Sequence, residues 1–169
     1  MSTAATTPKV LTGRCGCNAV TYTLHDTALA VHCCHCTDCQ RESGAAFALN
    51  IWLEAFNFEI TSETKPVLID IPSESGKGQL MARCPTCQIA LYSHYGHNKK
   101  FVWVRAGTLK DGAKNINPNV HIFTRSKVQW LDLSKEAEKG VPVFEEYYAS
   151  KEDVWSKESL ERYHAALDR

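Results

Sequence analysis

Hydrophobic and polar residues alternate in short runs along most of the chain, a pattern typical of strands with one face buried. In residues 19–24, for example, valine, tyrosine and leucine alternate with threonine. Turn-forming segments rich in Gly, Pro, Asn and Ser separate these runs. Further runs cover residues 45–53, 57–61, 66–71, 79–83, 100–109, 119–123 and 127–133. Strands this short and frequent predict a mainly β, single-domain antiparallel sandwich or barrel rather than alternating βαβ units.

The pattern changes after Leu133, where the chain becomes strongly charged. Apolar and aromatic residues then recur at helical spacing within residues 156–169, which predicts a C-terminal helix. We therefore expect a disordered leader at residues 1–9, a β-rich domain at 10–133 and a C-terminal extension with a helix at 134–169. The extension is expected either to pack on the domain or to form a contact between two copies in a homodimer.

Composition narrows the range of partners. The chain has 169 residues, of which 44% are hydrophobic and 22% charged, as in a soluble globular domain. Its 19 Lys and Arg residues balance 19 Asp and Glu residues, so we expect no nucleic-acid or membrane partner. The N-terminus lacks the apolar core of a signal peptide, and no run approaches a membrane span of about 20 apolar residues. We therefore expect a cytoplasmic protein whose thiols stay reduced.

Eight cysteines in such a chain favour metal binding over a disulfide scaffold. Cys15 and Cys17 form a C-x-C pair, and Cys84 and Cys87 form a C-x-x-C pair far along the chain. Thiolates spaced in this way on tight turns can converge on one ion, and zinc takes four of them in a closed structural site. The spacing therefore predicts that these four cysteines bind one structural zinc.

A second group supplies one thiolate fewer, and we expect all three from a single loop: Cys34, Cys36 and Cys39. Three protein ligands with a free fourth position is the arrangement of catalytic zinc. A fourth ligand from His32, His35 or Cys33 would instead close the site and make it structural. Cys33 is the least suitable of these, because adjacent side chains usually point in different directions.

Short motifs surround the cysteines in a defined order. They are GRCGC at 13–17, CHCTDCQRESGAAF at 34–47, CPTC at 84–87, RAGTL at 105–109, PNVHIF at 118–123 and KVQW at 127–130. In this order they resemble the glutathione-dependent formaldehyde-activating enzyme family, which includes the centromere protein V type. The resemblance implies a β fold like that of the Rab-exchange accessory factor and methionine-R-sulfoxide reductase, with two zinc ions per chain.

The resemblance also implies roles for individual cysteines. Four match the structural zinc site: Cys15, Cys17, Cys84 and Cys87. Three match the active-site zinc and would be catalytic through it: Cys34, Cys36 and Cys39. Cys33 has no counterpart. Two positions depart from the family pattern, since Arg83 replaces a common Phe and Gln88 replaces a common Gly after the knuckle, which implies a slightly different turn there.

The family implies a zinc-dependent carbon–sulfur lyase that joins a small thiol such as glutathione to formaldehyde or a related electrophile. Because glutathione carries carboxylates, its pocket needs cationic or N–H groups, for which Arg41, Arg105 and Arg125 are candidates. His121 is a candidate proton shuttle, although the alternation in residues 119–123 equally predicts a half-buried structural histidine.

An alternative is a non-catalytic adaptor or chaperone with two structural zinc sites. Methionine sulfoxide reduction on the same fold is disfavoured, because it needs a reactive cysteine on a late strand and none follows Cys87.

Overall fold

A computed structural model describes residues 10–73 and 75–169, so the predicted leader at residues 1–9 lies outside the described residues. Within them the chain forms ten strands and three α-helices. The strands are β1 (Leu11–Arg14), β2 (Thr21–Leu24), β3 (Ala30–Cys34), β4 (Ala48–Glu54), β5 (Phe58–Ile60), β6 (Val67–Ile71), β7 (Gln79–Arg83), β8 (Ala90–Tyr95), β9 (Phe101–Arg105) and β10 (Val120–Ile122). The helices are α1 (Thr37–Ser43), α2 (Ser134–Glu138) and α3 (Lys157–Leu167).

The strands form two sheets. The small sheet has the order β1-β2-β5, and the large sheet has the order β10-β3-β4-β9-β8-β7-β6. One face of the large sheet packs on the small sheet, where Ile51 and Val104 share a core cluster with Tyr22 and Leu24. The predicted mainly β architecture with a C-terminal helix is confirmed.

The C-terminal extension packs on the other face of the large sheet. Trp52 on β4 meets Trp155 with ring centroids 4.6 Å apart, and Phe101 on β9 stacks on Tyr163 of α3 at 5.0 Å. Such aromatic contacts add to the free energy gained by burying the rings themselves. The large sheet is therefore the middle layer of the molecule, with a different partner on each face.

A buried ion pair fastens α3 to this sheet. Arg162 donates to both carboxylate oxygens of Glu54, at 2.8 and 2.7 Å, and also to the backbone carbonyl of Thr27 at 3.0 Å. The Glu54 side chain is only 1% exposed, so without the guanidinium its charge would lie uncompensated in the core. This pairing fixes where the C-terminal helix lies on the sheet.

The structure corrects three local expectations. Residues 127–133 form no strand, because residues 142–144 already occupy the edge of β10: the His121 amide donates to the Pro142 carbonyl, and the Phe144 amide donates to the His121 carbonyl, both at 2.9 Å. β10 pairs with β3 in parallel, although every other strand pair is antiparallel within the described residues. Finally, the segment carrying the cysteine triplet continues into the helix α1.

Candidate functional site

The two distant cysteine pairs meet at one end of the sandwich. Cys15 and Cys17 follow β1, while Cys84 and Cys87 lie in the turn between β7 and β8. The sulfur atoms of Cys15 and Cys17 are 3.5 Å apart, those of Cys17 and Cys84 are 3.7 Å apart, and all four lie within 4.8 Å of one another. Tetrahedral zinc with Zn–S bonds of 2.3 Å needs sulfurs about 3.8 Å apart. The four sulfurs therefore fit a zinc ion that clips the two sheets together.

The turn of the second pair directs amide groups at its sulfurs. The Cys87 amide donates to the Cys84 sulfur at 3.5 Å, and the backbone amide of Ile89 lowers the pKa of the Cys87 thiol to about 6. Gln88 has φ +62°, a left-handed conformation that glycine adopts without strain. The expectation of a different turn at Gln88 is therefore wrong, because glutamine takes the left-handed conformation itself.

The two departures from the family pattern contact each other. The Arg83 guanidinium donates to the Gln88 carbonyl at 2.7 Å. The same guanidinium forms an ion pair with Glu42 on α1, the helix that carries Cys39. The knuckle of the four-cysteine group is thus tied through Arg83 to the helix of the cysteine triplet.

The triplet is built by the end of β3 and the start of α1. Cys34 ends the strand, and Cys36 caps the helix, its sulfur accepting from the Cys39 amide at 3.3 Å. The Cys34 and Cys36 sulfurs are 3.4 Å apart, and all three sulfurs lie within 4.8 Å of one another. Three soft donors at this spacing also fit zinc. No fourth Cys, His, Asp or Glu joins this group among residues 10–73 and 75–169.

One positive charge lies beside the triplet. Arg105 on β9 is held by Asn50, to which it donates at 2.6 Å. Hydrogen bonds from the Cys34 and Cys36 thiols lower the pKa of Cys39 most strongly, and Arg105 lowers it further. Arg105 is therefore the predicted arginine that the fold brings to the cysteines.

The other predicted substrate residues lie elsewhere. Arg41 is exposed on α1 and pairs with Asp38 at 3.0 Å, while Arg125 pairs with Glu146. Neither arginine lines the cavity that opens beside the cysteine triplet. His121 is buried at 4% exposure and hydrogen-bonds His35, Nδ1 to Nε2, at 3.0 Å. Their roles in substrate binding stay predictions.

Strand alternation separates Cys33 from the triplet. Cys33 pairs with His121 across the β3–β10 ladder, on the opposite face from Cys34. Cys33, His35 and His121 form a third group, whose members are all buried and whose possible ligand atoms lie within 4.8 Å of one another. Burial lowers the pKa of His35 to about 4 and also lowers that of His121, so burial favours the neutral form of both rings. Neither Cys33 nor His35 therefore completes the triplet.

His32 lies on the same face of β3 as Cys34 but has another partner. Its Nε2 is 3.0 Å from the Tyr148 hydroxyl, which also accepts from Trp155 Nε1 and from the Tyr147 hydroxyl, both at 2.9 Å. These two donors occupy both lone pairs of the Tyr148 oxygen, so Tyr148 donates its own proton to His32. Burial, followed by the charge of Lys151, lowers the pKa of His32 to about 3, so His32 is a neutral acceptor.

A cavity of about 540 Å³ opens beside the triplet, with the large sheet as its floor. All three triplet cysteines and Arg105 line it. Its aromatic lining includes Trp52, Trp103, Tyr95, Phe123, Tyr147 and Tyr163. Its other polar and charged lining includes Asn50, Gln79, Ser93, Asn98, Lys77 and Lys151. No motif in the sequence predicts this aromatic lining, because its residues lie on separate strands and on the extension.

Two cysteine groups on a mainly β domain, one of them facing a cavity, define a candidate metalloenzyme. The family model described as "Glutathione-dependent formaldehyde-activating enzyme" matches residues 10–126. The chain belongs to this family, as its motifs predicted.

Other comparisons are distant. A crystal structure of a Rhodobacter sphaeroides protein aligns with a TM-score of 0.43 and 15% identity, over 79% of this chain and 99% of that one. No curated protein matches the sequence. Within the described residues, no helix has the length and apolar character needed to cross a membrane.

Proposed function

We propose that the protein is a zinc-dependent carbon–sulfur lyase that adds a thiol such as glutathione to a carbonyl compound, and that catalyses the reverse cleavage. One observation carries the proposal: three converging cysteine sulfurs line a cavity large enough for a small organic ligand. Cys34, Cys36 and Cys39 would hold the catalytic zinc, and Cys15, Cys17, Cys84 and Cys87 would hold a structural one.

When bound, a three-thiolate zinc supplies an open position that holds a substrate thiol as its thiolate at neutral pH. The cysteine charges make the site negative, and Arg105 offsets part of that charge. Asn50 fixes the Arg105 guanidinium, so the positive charge stays beside Cys39 without a reorganisation step.

The reaction balances without an oxidant or reductant. The thiol loses its proton to solvent, and the sulfur lone pair forms the C–S bond to the carbonyl carbon. The π-electron pair of the carbonyl moves to oxygen, which takes a proton from water to give a hydroxyalkyl thioether. The cavity holds both reactants side by side, and this converts a bimolecular addition into an oriented one.

Glutathione fits the charges of the cavity. Its two carboxylates require cationic or N–H partners, and Lys77, Lys151 and Arg105 all line the cavity. The amide side chains of Asn50 and Asn98 can hydrogen-bond a peptide backbone. An adaptor with two structural zinc sites would instead need a fourth protein ligand at the triplet, and it would leave this cavity without a role.

The test combines zinc content with ligand binding. We expect two zinc ions per chain in the wild type, one in Cys36→Ser, and two in the control Cys33→Ala, whose side chain lies on the opposite face of β3. Glutathione should bind the wild type and the control saturably by calorimetry, and thiol–aldehyde addition should be lost in Cys36→Ser alone. An absence of glutathione binding to zinc-loaded wild type would refute the glutathione part of the proposal. Loss of fold in Cys36→Ser would instead favour two structural sites.

A further inference from the structure

We propose that the electrophile handled by this site carries an aromatic ring, and that residues of the C-terminal extension select for it. The proposal rests on the proposed function and narrows its substrate class from small carbonyl compounds to aromatic ones. It follows from what the cavity offers beyond the groups needed to bind a thiol.

The first wall of the cavity is an aromatic surface on the large sheet. Trp52 and Trp103 are register partners on β4 and β9, with ring centroids 4.6 Å apart. Both line the cavity, and Trp103 is only half-buried. Formaldehyde has a single carbon and no apolar surface, so it gains nothing from two indole rings. A planar aromatic group does gain from them, because offset or edge-on ring contacts stabilise beyond simple burial.

The second wall comes from the extension. Tyr163 on α3 lies edge-on to Trp52 with centroids 5.9 Å apart, and Tyr147 also lines the cavity. The space beside the triplet is thus bounded by aromatic rings from two different layers. The two walls meet at the Trp52–Tyr163 contact, so this slot is a corner of the cavity in which a flat apolar group can pack against ring surface.

A cation lies over this slot. The Lys151 Nζ is 4.6 Å from the Tyr163 ring centroid and 5.8 Å from that of Trp52. Within residues 10–73 and 75–169, no carboxylate lies within 4.0 Å of this ammonium group, so it relies on the rings and remains able to meet an anion. A carboxylate of the thiol portion would complete that interaction while the aromatic portion fills the slot.

The second wall and its cation lie outside the part of the chain that defines the family. Tyr147, Lys151 and Tyr163 all follow the matched region, residues 10–126. They are held firmly, because Tyr148 donates to His32 on the cysteine-bearing strand and Arg162 pairs with buried Glu54. The reactive cysteines and the first wall lie within the matched region, so the two walls that recognise the electrophile come from different segments of the chain.

Stable glutathione thioethers test this without turnover. The zinc-loaded full chain is titrated by calorimetry with glutathione, S-methylglutathione and S-benzylglutathione. We expect the benzyl thioether to bind at least about tenfold more tightly than the methyl one, since its ring enters the slot. A ratio near one in the wild type would overturn the proposal.

Two substitutions test whether the aromatic walls cause the preference for the benzyl thioether. In Tyr163→Ala and in Trp103→Leu, each removing one wall, the benzyl-to-methyl ratio should fall below about threefold. Glutathione affinity should change little in Trp103→Leu, because the Trp103 ring is not one of those beside Lys151. Tyr163→Phe keeps the ring and should keep the ratio. Trp130→Ala is the matched control, because Trp130 is 75% exposed and does not line the cavity. An unchanged ratio in both wall variants would contradict the assignment.

Circular dichroism checks that the variants fold, and the two walls provide independent tests if one variant does not. Failure of this proposal is distinguishable from failure of the proposed function. If glutathione binds but the benzyl group adds nothing, only the aromatic preference is wrong. If zinc-loaded protein binds none of the three ligands, the glutathione-dependent function itself fails.

Discussion

The two cysteine groups of this molecule both offer sulfur atoms as metal ligands, but we expect different roles for them. The four-cysteine group joins two distant segments, one after β1 and one between β7 and β8, and none of its members lines the cavity with the triplet. The triplet comes from six consecutive residues and lies against that cavity. A closed set of sulfurs that crosses between sheets stabilises the fold, whereas an incomplete local set leaves room for a ligand.

The sharpest test of this contrast is Cys84→Ser, which removes a ligand of the closed group. We expect loss of the zinc at that group and a fall of at least about 4 kcal/mol in the free energy of unfolding, because the ion then no longer links the sheets. Urea unfolding with zinc analysis measures both. The control is Cys33→Ala, which should keep both ions. A variant with wild-type stability would mean that the four sulfurs do not act as a structural clip.

Cys39→Ala should give the opposite result at the triplet. Turnover of thiol–aldehyde adducts should fall at least about a hundredfold, because the proposed catalytic zinc would lose one of its three protein ligands. The melting temperature should change by only a few degrees, since the triplet joins residues already adjacent in the chain. Kinetics and calorimetry on the same sample separate the two effects. If Cys39→Ala lost as much stability as Cys84→Ser, the two cysteine groups would not differ in their structural role.

Arg83 connects the two groups, so its substitution measures how independent they are. Arg83→Met removes both the bond to the Gln88 carbonyl and the ion pair with Glu42, whose side chain is 13% exposed. We expect a loss of about 1–3 kcal/mol in stability, because the partners left behind are largely desolvated.

Turnover should fall less than tenfold if the groups act separately. Glu42→Gln, which keeps shape but removes charge, isolates the ion pair from the turn. A hundredfold loss of turnover in Arg83→Met would indicate that the knuckle positions α1 for catalysis.

The sequence predicted which cysteines lie together in each group better than it predicted the surroundings of either group. Cysteine spacing is local and chemically specific, so the partition into four and three required no knowledge of strand order. The position of Arg105 beside Cys39 depends on the pairing of β4 with β9, which period-two alternation does not encode. The prediction of a strand at residues 127–133 was wrong for a similar reason, because residues 142–144 of the extension hydrogen-bond to the edge of β10.

The aromatic residues that line the cavity could not be predicted from the sequence, for the same physical reason. Trp52, Trp103 and Tyr163 are separated along the chain, and each looks like an ordinary core residue by itself. They become one surface only after β4 and β9 pair and α3 docks through Arg162. Side chains that meet through tertiary packing leave no short motif to detect.

The smallest expected effect is at Gln88, in the turn of the four-cysteine group. Its positive φ costs glutamine about 1–2 kcal/mol, which glycine avoids, but glycine gains freedom in the unfolded chain and loses the Gln88 side-chain bond to the Pro85 carbonyl at 2.9 Å. Gln88→Gly should therefore be within about 1 kcal/mol of the wild type and keep both zinc ions.

Gln88→Val should have the opposite effect and lower the free energy of unfolding by about 1–3 kcal/mol, because a β-branched residue tolerates the left-handed region poorly. Gln88→Asn is the intermediate control, since asparagine adopts this conformation more readily. Urea unfolding of the three variants gives the ranking, and turnover should stay unchanged because Gln88 does not line the triplet's cavity. Equal stabilities would show that the turn relaxes on substitution, and the metal rather than the backbone conformation would then hold the knuckle in shape.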